Sequence, residues 1–128
     1  MLSSFRNPGQ SQGRSASGPI RVMLVDDSAV IRGLINRMIT PESDMEVVAS
    51  AQDGQRAIEA LTKDPSIEVI LLDIEMPVMD GLTALPKLIQ VKKDVKIVMA
   101  STLTMENAEV SMQAMKLGAV DYVPKPTS

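Results

Sequence analysis

Along the chain, short apolar runs alternate with segments of helical spacing. Ile20–Val25 is a mostly apolar run that stops abruptly at Asp26–Asp27. Ile31, Leu34, Ile35 and Met38 then recur at i, i+3, i+4 and i+7, which predicts an amphipathic helix with Ser28 placed to cap it. Glu46–Ala51 predicts a second strand, and Asp53 can cap a helix carrying Ala57, Ile58 and Leu61. Ile67–Leu72, nearly all aliphatic, predicts a third strand ending at Asp73. Gly81–Val91 has helical spacing, although Pro86 must either kink that helix or lie in its first turn. Val95–Ala100 predicts a fourth strand ending at Ser101–Thr102. Thr104 then opens a helix with Ala108, Met112 and Met115 on one face, and Gly118 can close it. A fifth strand, Val120–Val123, leads into Pro124–Lys125–Pro126.

Continuous aliphatic strands suit a parallel sheet buried on both faces, and the intervening helices supply its crossovers. The expectation is an α/β fold of five parallel strands and four helices, without internal repeats. Residues 1–18 lack this pattern: they are rich in Ser, Gly and Gln and read as a flexible tail before a single domain at 19–128. The tail's only charges are Arg6 and Arg14, so the chain's −3 becomes −5 for the domain alone. That acidity disfavours a nucleic-acid partner. No apolar run approaches the ~20 residues of a membrane span, so membrane insertion is not expected.

Composition narrows the chemistry further. The chain has no Cys, which excludes disulfides and thiolate catalysis and fits a cytoplasmic protein. It also has no His, which removes catalytic triads and the usual zinc sites. What remains is carboxylates, hydroxyls, Lys and a hard cation.

Those groups fall at strand ends. In an open parallel sheet, ligands bind beyond the carboxyl ends of the strands. Strands 1, 3, 4 and 5 are followed there by Asp26–Asp27, Asp73, Ser101 and Lys125. In the flavodoxin-like order 2-1-3-4-5, strands 1 and 3 are neighbours and the three carboxylates converge. Their repulsion would raise at least one pKa unless a cation intervened. An all-oxygen site selects Mg²⁺, with Mn²⁺ or Ca²⁺ as alternatives, and Mg²⁺ favours a few carboxylates plus phosphate oxygens. Asp73, on the central strand, is the natural nucleophile toward phosphorus. Lys125 offers the phosphate a compact positive charge, and Ser101 a hydroxyl donor. Taken singly, each of these residues also suits a turn or a helix cap. Four matching groups on one sheet edge are less easily explained that way.

The residues Val25-Asp26-Asp27-Ser28, Leu72-Asp73-Ile74-Glu75-Met76-Pro77-Val78-Met79-Asp80-Gly81, Ser101, Gly118-Ala119 and Lys125-Pro126 resemble the receiver domain of two-component response regulators. The resemblance runs from Ile20 to Thr127. Val98–Thr104 and Asp121–Pro126 look most like the receiver half of chemotaxis protein-glutamate methylesterases. It implies that Asp73 is the phosphoacceptor. Asp27 and Asp73 would hold Mg²⁺ directly, Asp26 mainly through water, and the Glu75 backbone carbonyl would complete the site. Ser101 would be the switch hydroxyl, with Thr102 as the alternative. Tyr122 would be the aromatic that swings inward when Ser101 engages phosphate. Lys125 would pair with the phosphate, across a cis Lys125–Pro126 bond.

The implied function is a phosphorylation switch in a two-component signalling system. A partner histidine kinase would phosphorylate Asp73, and the output would be regulation of a methylesterase catalytic domain. Without His the chain has no esterase site of its own, and self-dephosphorylation is the most it would catalyse. The alternatives are a stand-alone receiver that acts by binding another protein, and a phosphatase turning over an aspartyl phosphate, with Glu75 at the offset of its second carboxylate. Relatives of this kind carry a fifth helix after the Lys–Pro pair. The sequence ends at Ser128, so part of one sheet face is expected to lie uncovered, lowering stability or inviting self-association.

Overall fold

The computed structural model describes residues 18–102 and 104–126, so residues 1–17 of the expected tail lie outside the described residues. Five strands, β1 (Ile20–Val25), β2 (Met45–Ala51), β3 (Val69–Asp73), β4 (Lys96–Ser101) and β5 (Asp121–Pro124), form one sheet. All neighbours are parallel, in the order β2-β1-β3-β4-β5. Four helices connect them: α1 (Ala29–Ile39), α2 (Gly54–Lys63), α3 (Gly81–Val91) and α4 (Met105–Leu117). The expected flavodoxin-like architecture is present, with β1 at its expected bounds and the other strands moved by at most two residues.

Each helix starts where a short polar side chain can accept an otherwise orphaned N–H. Ser28 accepts from Ile31 N, Asp53 from Arg56 N, Asp80 from Thr83 N and Thr104 from Asn107 N. Gly118 closes α4 at φ 120°, a backbone region that favours glycine. Pro86 lies in the second turn of α3 rather than the first.

Successive strand residues point to opposite faces, and two cores result. Met23, Val25, Ile70, Leu72, Ile97 and Met99 meet α2, α3 and α4 on one face. Val22, Leu24, Val69, Leu71 and Val98 meet Ile35 and Ile39 of α1 on the other. Beside α1 on that second face, a groove of about 270 Å³ is lined by Ile39, Leu71, Ala100, Val123 and Pro124.

Two helical faces differ from expectation. On α1, Ile35 and Ile39 are buried, whereas Met38 is largely exposed and only borders the groove. On α4, Asn107, Ser111 and Ala114 are buried, while Ala108 and Met112 face solvent and Met115 is half-buried. The helix is rotated so that Asn107, Ser111 and Ala114 are its buried residues, and of the expected face only Met115 packs against the core, together with Val110. One backbone expectation also fails: the described residues contain no cis peptide bond, so Lys125–Pro126 is trans. For X–Pro the trans form is the lower by about 0.5–1 kcal/mol, and nothing in the local residue pattern demanded the other isomer.

Candidate functional site

Strand register assembles the site. Val25 pairs with Leu72, so the residues that follow, Asp26 and Asp73, emerge side by side. Asp73 pairs with Ala100, so Ser101 comes one step beyond it on β4. Ser101 pairs with Pro124, so Lys125 is one step beyond Ser101, and the Lys125 N–H donates to the Ser101 carbonyl at 2.9 Å. The backbone therefore carries these four residues to one edge of the sheet before any side chain interacts.

Lys125 holds the centre. Its Nζ lies 2.7 Å from Asp73 Oδ1 and 3.1 Å from Asp26 Oδ2. Asp26 Oδ1 accepts the Ser28 N–H at 2.8 Å, which fixes the carboxylate against the start of α1. Asp73 is 2% exposed, and its Oδ2 is buried without a hydrogen-bond partner. Asp27 is exposed at the mouth. Ligand oxygens of Asp26, Asp27 and Asp73 all lie within 4.8 Å of one another.

The electrostatics follow. Burial pushes the Asp73 pKa up to about 6; the Lys125 hydrogen bond opposes the rise, and the Asp26 and Asp27 charges add to it. For Lys125, burial would by itself lower the pKa, but the Asp73 and Asp26 carboxylates outweigh it and the value is raised. Lys125 therefore stays charged while Asp73 titrates. A buried anionic oxygen without a donor, among three carboxylates and without N or S ligands, suits a hard divalent cation.

A polar cleft of about 200 Å³ opens over these groups, bordered by Asp27, Asp73, Glu75, Ser101, Thr102 and Lys125. Ser101 is buried at the end of β4, and Thr102 is exposed beside it. The structure thus brings Asp26, Asp27, Asp73, Glu75, Ser101, Thr102 and Lys125 together. Tyr122 stands apart on β5, 44% exposed and outside the cleft lining.

Two neighbours of the site were not expected. Gly81 lies against β3 so closely that a Cβ there would be 2.0 Å from the Asp73 carbonyl oxygen. Its N–H donates to Ile74 O at 2.8 Å, which folds the loop from Asp73 to Asp80 back on itself. Asn107 also borders the cleft, buried on α4, and its Nδ2 donates to the Thr102 carbonyl at 3.0 Å. Its position three residues after the cap Thr104 was the available signal, but hydrophobic periodicity reads a polar residue there as outward-facing.

Comparison with known proteins agrees with this geometry. The protein-glutamate methylesterase/protein-glutamine glutaminase of Azospirillum brasilense is 57% identical over 120 residues, which cover 94% of this chain and 30% of that protein. The chain thus spans about 30% of the length of the curated relatives it matches. The response regulator domain of Thermotoga maritima CheB superposes with a TM-score of 0.75 at 41% identity, over 86% of this chain and 81% of that domain. A chain in the crystal structure of the P1 domain of CheA3 in complex with CheY6 from R. sphaeroides superposes with a TM-score of 0.73 at 40% identity, over 87% of this chain and 85% of that one. The response regulator receiver domain family matches residues 22–128. With its parallel sheet and acidic edge, this chain belongs to that family.

Proposed function

We propose that the chain is a Mg²⁺-dependent phosphoacceptor that switches the output of a methylesterase catalytic domain lying outside the sequence. The observation that carries this reading is the Asp73 carboxylate. It is buried, bound on one oxygen by Lys125 and unpartnered on the other, and it faces a polar cleft.

Asp73 is the nucleophile. One carboxylate oxygen forms a bond to phosphorus as the P–N bond of a phosphohistidine breaks, and the released imidazole takes up a proton. The chain contains no His, so the phosphohistidine lies outside this sequence. The similarity to a chain of the CheA3 P1–CheY6 complex supports a histidine kinase as that partner. Mg²⁺, held by Asp27, Asp73 and the Glu75 carbonyl with Asp26 behind them, would supply positive charge for the phosphoryl oxygens. Lys125 keeps its charge beside Asp73 and can transfer a hydrogen bond from the carboxylate to the phosphoryl group. The Ser101 hydroxyl, with Thr102 as the exposed alternative, donates to a phosphoryl oxygen, and Tyr122 follows that movement from the surface of β5.

The likeness to methylesterase/glutaminase proteins supports a catalytic domain as the recipient of the signal. No described helix is long and apolar enough to cross a membrane. Together with the lack of Cys, this supports action in the cytoplasm beside such partners.

Incubation with Mg²⁺ and acetyl phosphate, followed by intact mass measurement, tests the assignment. One phosphoryl adduct is expected, absent in Asp73→Asn and absent when Mg²⁺ is chelated. An adduct that survives Asp73→Asn would overturn it.

A further inference from the structure

Asn107 is a polar side chain on the inner face of a helix. It is 8% exposed, and the next two residues on the same face are Ser111 and Ala114. The outer face carries Met105 and Met112, 84% and 55% exposed. Polar Asn107 and Ser111 thus share the inner face of α4 with Ala114, Val110 and Met115, which pack on the core, while two methionines face outward. Ser111 is 1% exposed and its Oγ has no hydrogen-bond partner, so the polar part of the inner face of α4 is incompletely satisfied.

One bond in this region spans two elements. Asn107 Nδ2 donates to the Thr102 carbonyl at 3.0 Å, while the Asn107 N–H donates to Thr104 Oγ1, also at 3.0 Å. The second bond caps the helix and needs no particular side chain at position 107. The first needs an amide or an equivalent donor, and it binds α4 to the residue immediately after Ser101. Ser101 and Thr102 border the same cleft as Asp73 and Lys125.

We infer that the Asn107 amide is a positioning latch. It ties the backbone that carries the Ser101 and Thr102 hydroxyls to the first turn of α4, so that movement of either hydroxyl toward a phosphoryl group is passed to the helix. The inference rests on the phosphoacceptor reading and adds to it the residue through which α4 senses the site. Asn107 touches neither Asp73 nor Lys125 through any bond in the structure, so its role is positional.

Amide hydrogen exchange across α4, with and without Mg²⁺ and beryllofluoride, tests the latch in the full chain. Wild type should show a change in α4 protection of at least about 5-fold when the phosphoryl mimic binds. In Asn107→Ala, α4 should exchange at least about 10-fold faster in the free protein. Mg²⁺ binding by calorimetry should stay within about 2-fold of wild type, and beryllofluoride should no longer alter α4. Asn107→Asp supplies the control, read without metal. It keeps side-chain size and suits a helix N-terminus, but it cannot donate to Thr102. It should exchange like Asn107→Ala. Wild-type exchange in Asn107→Asp, or a wild-type α4 response in Asn107→Ala, would overturn the latch and leave the phosphoacceptor reading standing. Failure of wild type itself to bind beryllofluoride would overturn both.

Discussion

Lys125 Nζ lies 2.7 Å from Asp73 Oδ1, although Lys125 follows β5 and Asp73 ends β3, with β4 between them. The lysine crosses the end of the intervening strand, where Ser101 stands, and reaches Asp26 as well, at 3.1 Å. One ammonium thus compensates two buried carboxylates contributed by neighbouring strands.

Removing that ammonium should cost stability in a pH-dependent way. Lys125→Ala leaves Asp26 and Asp73 facing each other without a counter-charge. Loss of one partner from a buried pair is worth about 3–5 kcal/mol, and the partial exposure of the Lys125 side chain places the expectation near the lower bound. Because Lys125 holds the Asp73 pKa down, its loss raises that pKa further, so the penalty should be larger at pH 7.5 than at pH 5, where Asp73 takes up a proton. Urea denaturation of both proteins at the two pH values measures it. An equal loss at both would contradict the assignment of Lys125 as counter-ion.

The Asp73 carboxyl should also make the metal-free protein less stable as pH rises. Its folded pKa, about 6, is above the unfolded value of 3.8, so the folded state binds the proton more tightly. The resulting stabilisation is complete below the unfolded value and disappears as pH rises through about 6. Asp73→Asn is neutral throughout. Relative to wild type it should gain up to about 3 kcal/mol between pH 4 and pH 7. Denaturant titrations in the presence of a chelator follow this difference. A gap that stays constant with pH would show that Asp73 is not the group that titrates.

Gly81 should tolerate no side chain. A Cβ would stand 2.0 Å from the Asp73 carbonyl oxygen and 3.1 Å from Ile74 Cα, and both obstacles are backbone. Overpacking typically costs about 1–3 kcal/mol, and with no flexible neighbour to yield, Gly81→Ala should lie at the upper end. Because the displaced atom belongs to Asp73, Mg²⁺ affinity should fall as well, by at least about 10-fold in a calorimetric titration. A variant that lost stability but bound Mg²⁺ normally would separate Gly81 from the site.

The sequence makes the sheet edge legible because strand ends are punctuated by polar residues. Asp26, Asp73, Ser101 and Lys125 each terminate an aliphatic run, and parallel register then fixes them as neighbours. Caps at Ser28, Asp53 and Thr104 are legible for the same reason, since a short acceptor precedes each helical pattern. The inner face of α4 is not. Ala108, Met112 and Met115 and the actual inner set Asn107, Ser111 and Ala114 both have helical spacing. Hydropathy selects the methionines. Fit against the sheet selects the smaller set, and only the assembled structure contains that constraint. Asn107 is hidden by the same rule, since its value lies in one bond to a carbonyl that periodicity cannot represent. The trans Lys125–Pro126 bond illustrates a different limit, because the Lys–Pro pair admits both isomers.

Val78 offers a way to stabilise the protein without touching the site. It is the only described non-glycine residue at positive φ, 70°, and its side chain is 83% exposed. The Met79 N–H donates to the Pro77 carbonyl at 2.7 Å, closing a three-residue turn over Val78. A β-branched residue is poorly suited to this geometry, and such strain costs about 1–3 kcal/mol. Glycine removes the strain but loses more entropy on folding, about 0.5–1 kcal/mol relative to alanine. Little packing is lost, because the valine faces solvent. Val78→Gly should therefore gain about 1 kcal/mol, a rise in Tm of roughly 4–8 °C for a domain of about 100 residues. The turn lies within the same loop as Glu75, so Mg²⁺ affinity should be measured alongside the melt and should remain within about 2-fold of wild type. A lower Tm with unchanged affinity would show that the Val78 side chain stabilises the loop more than its backbone strains it.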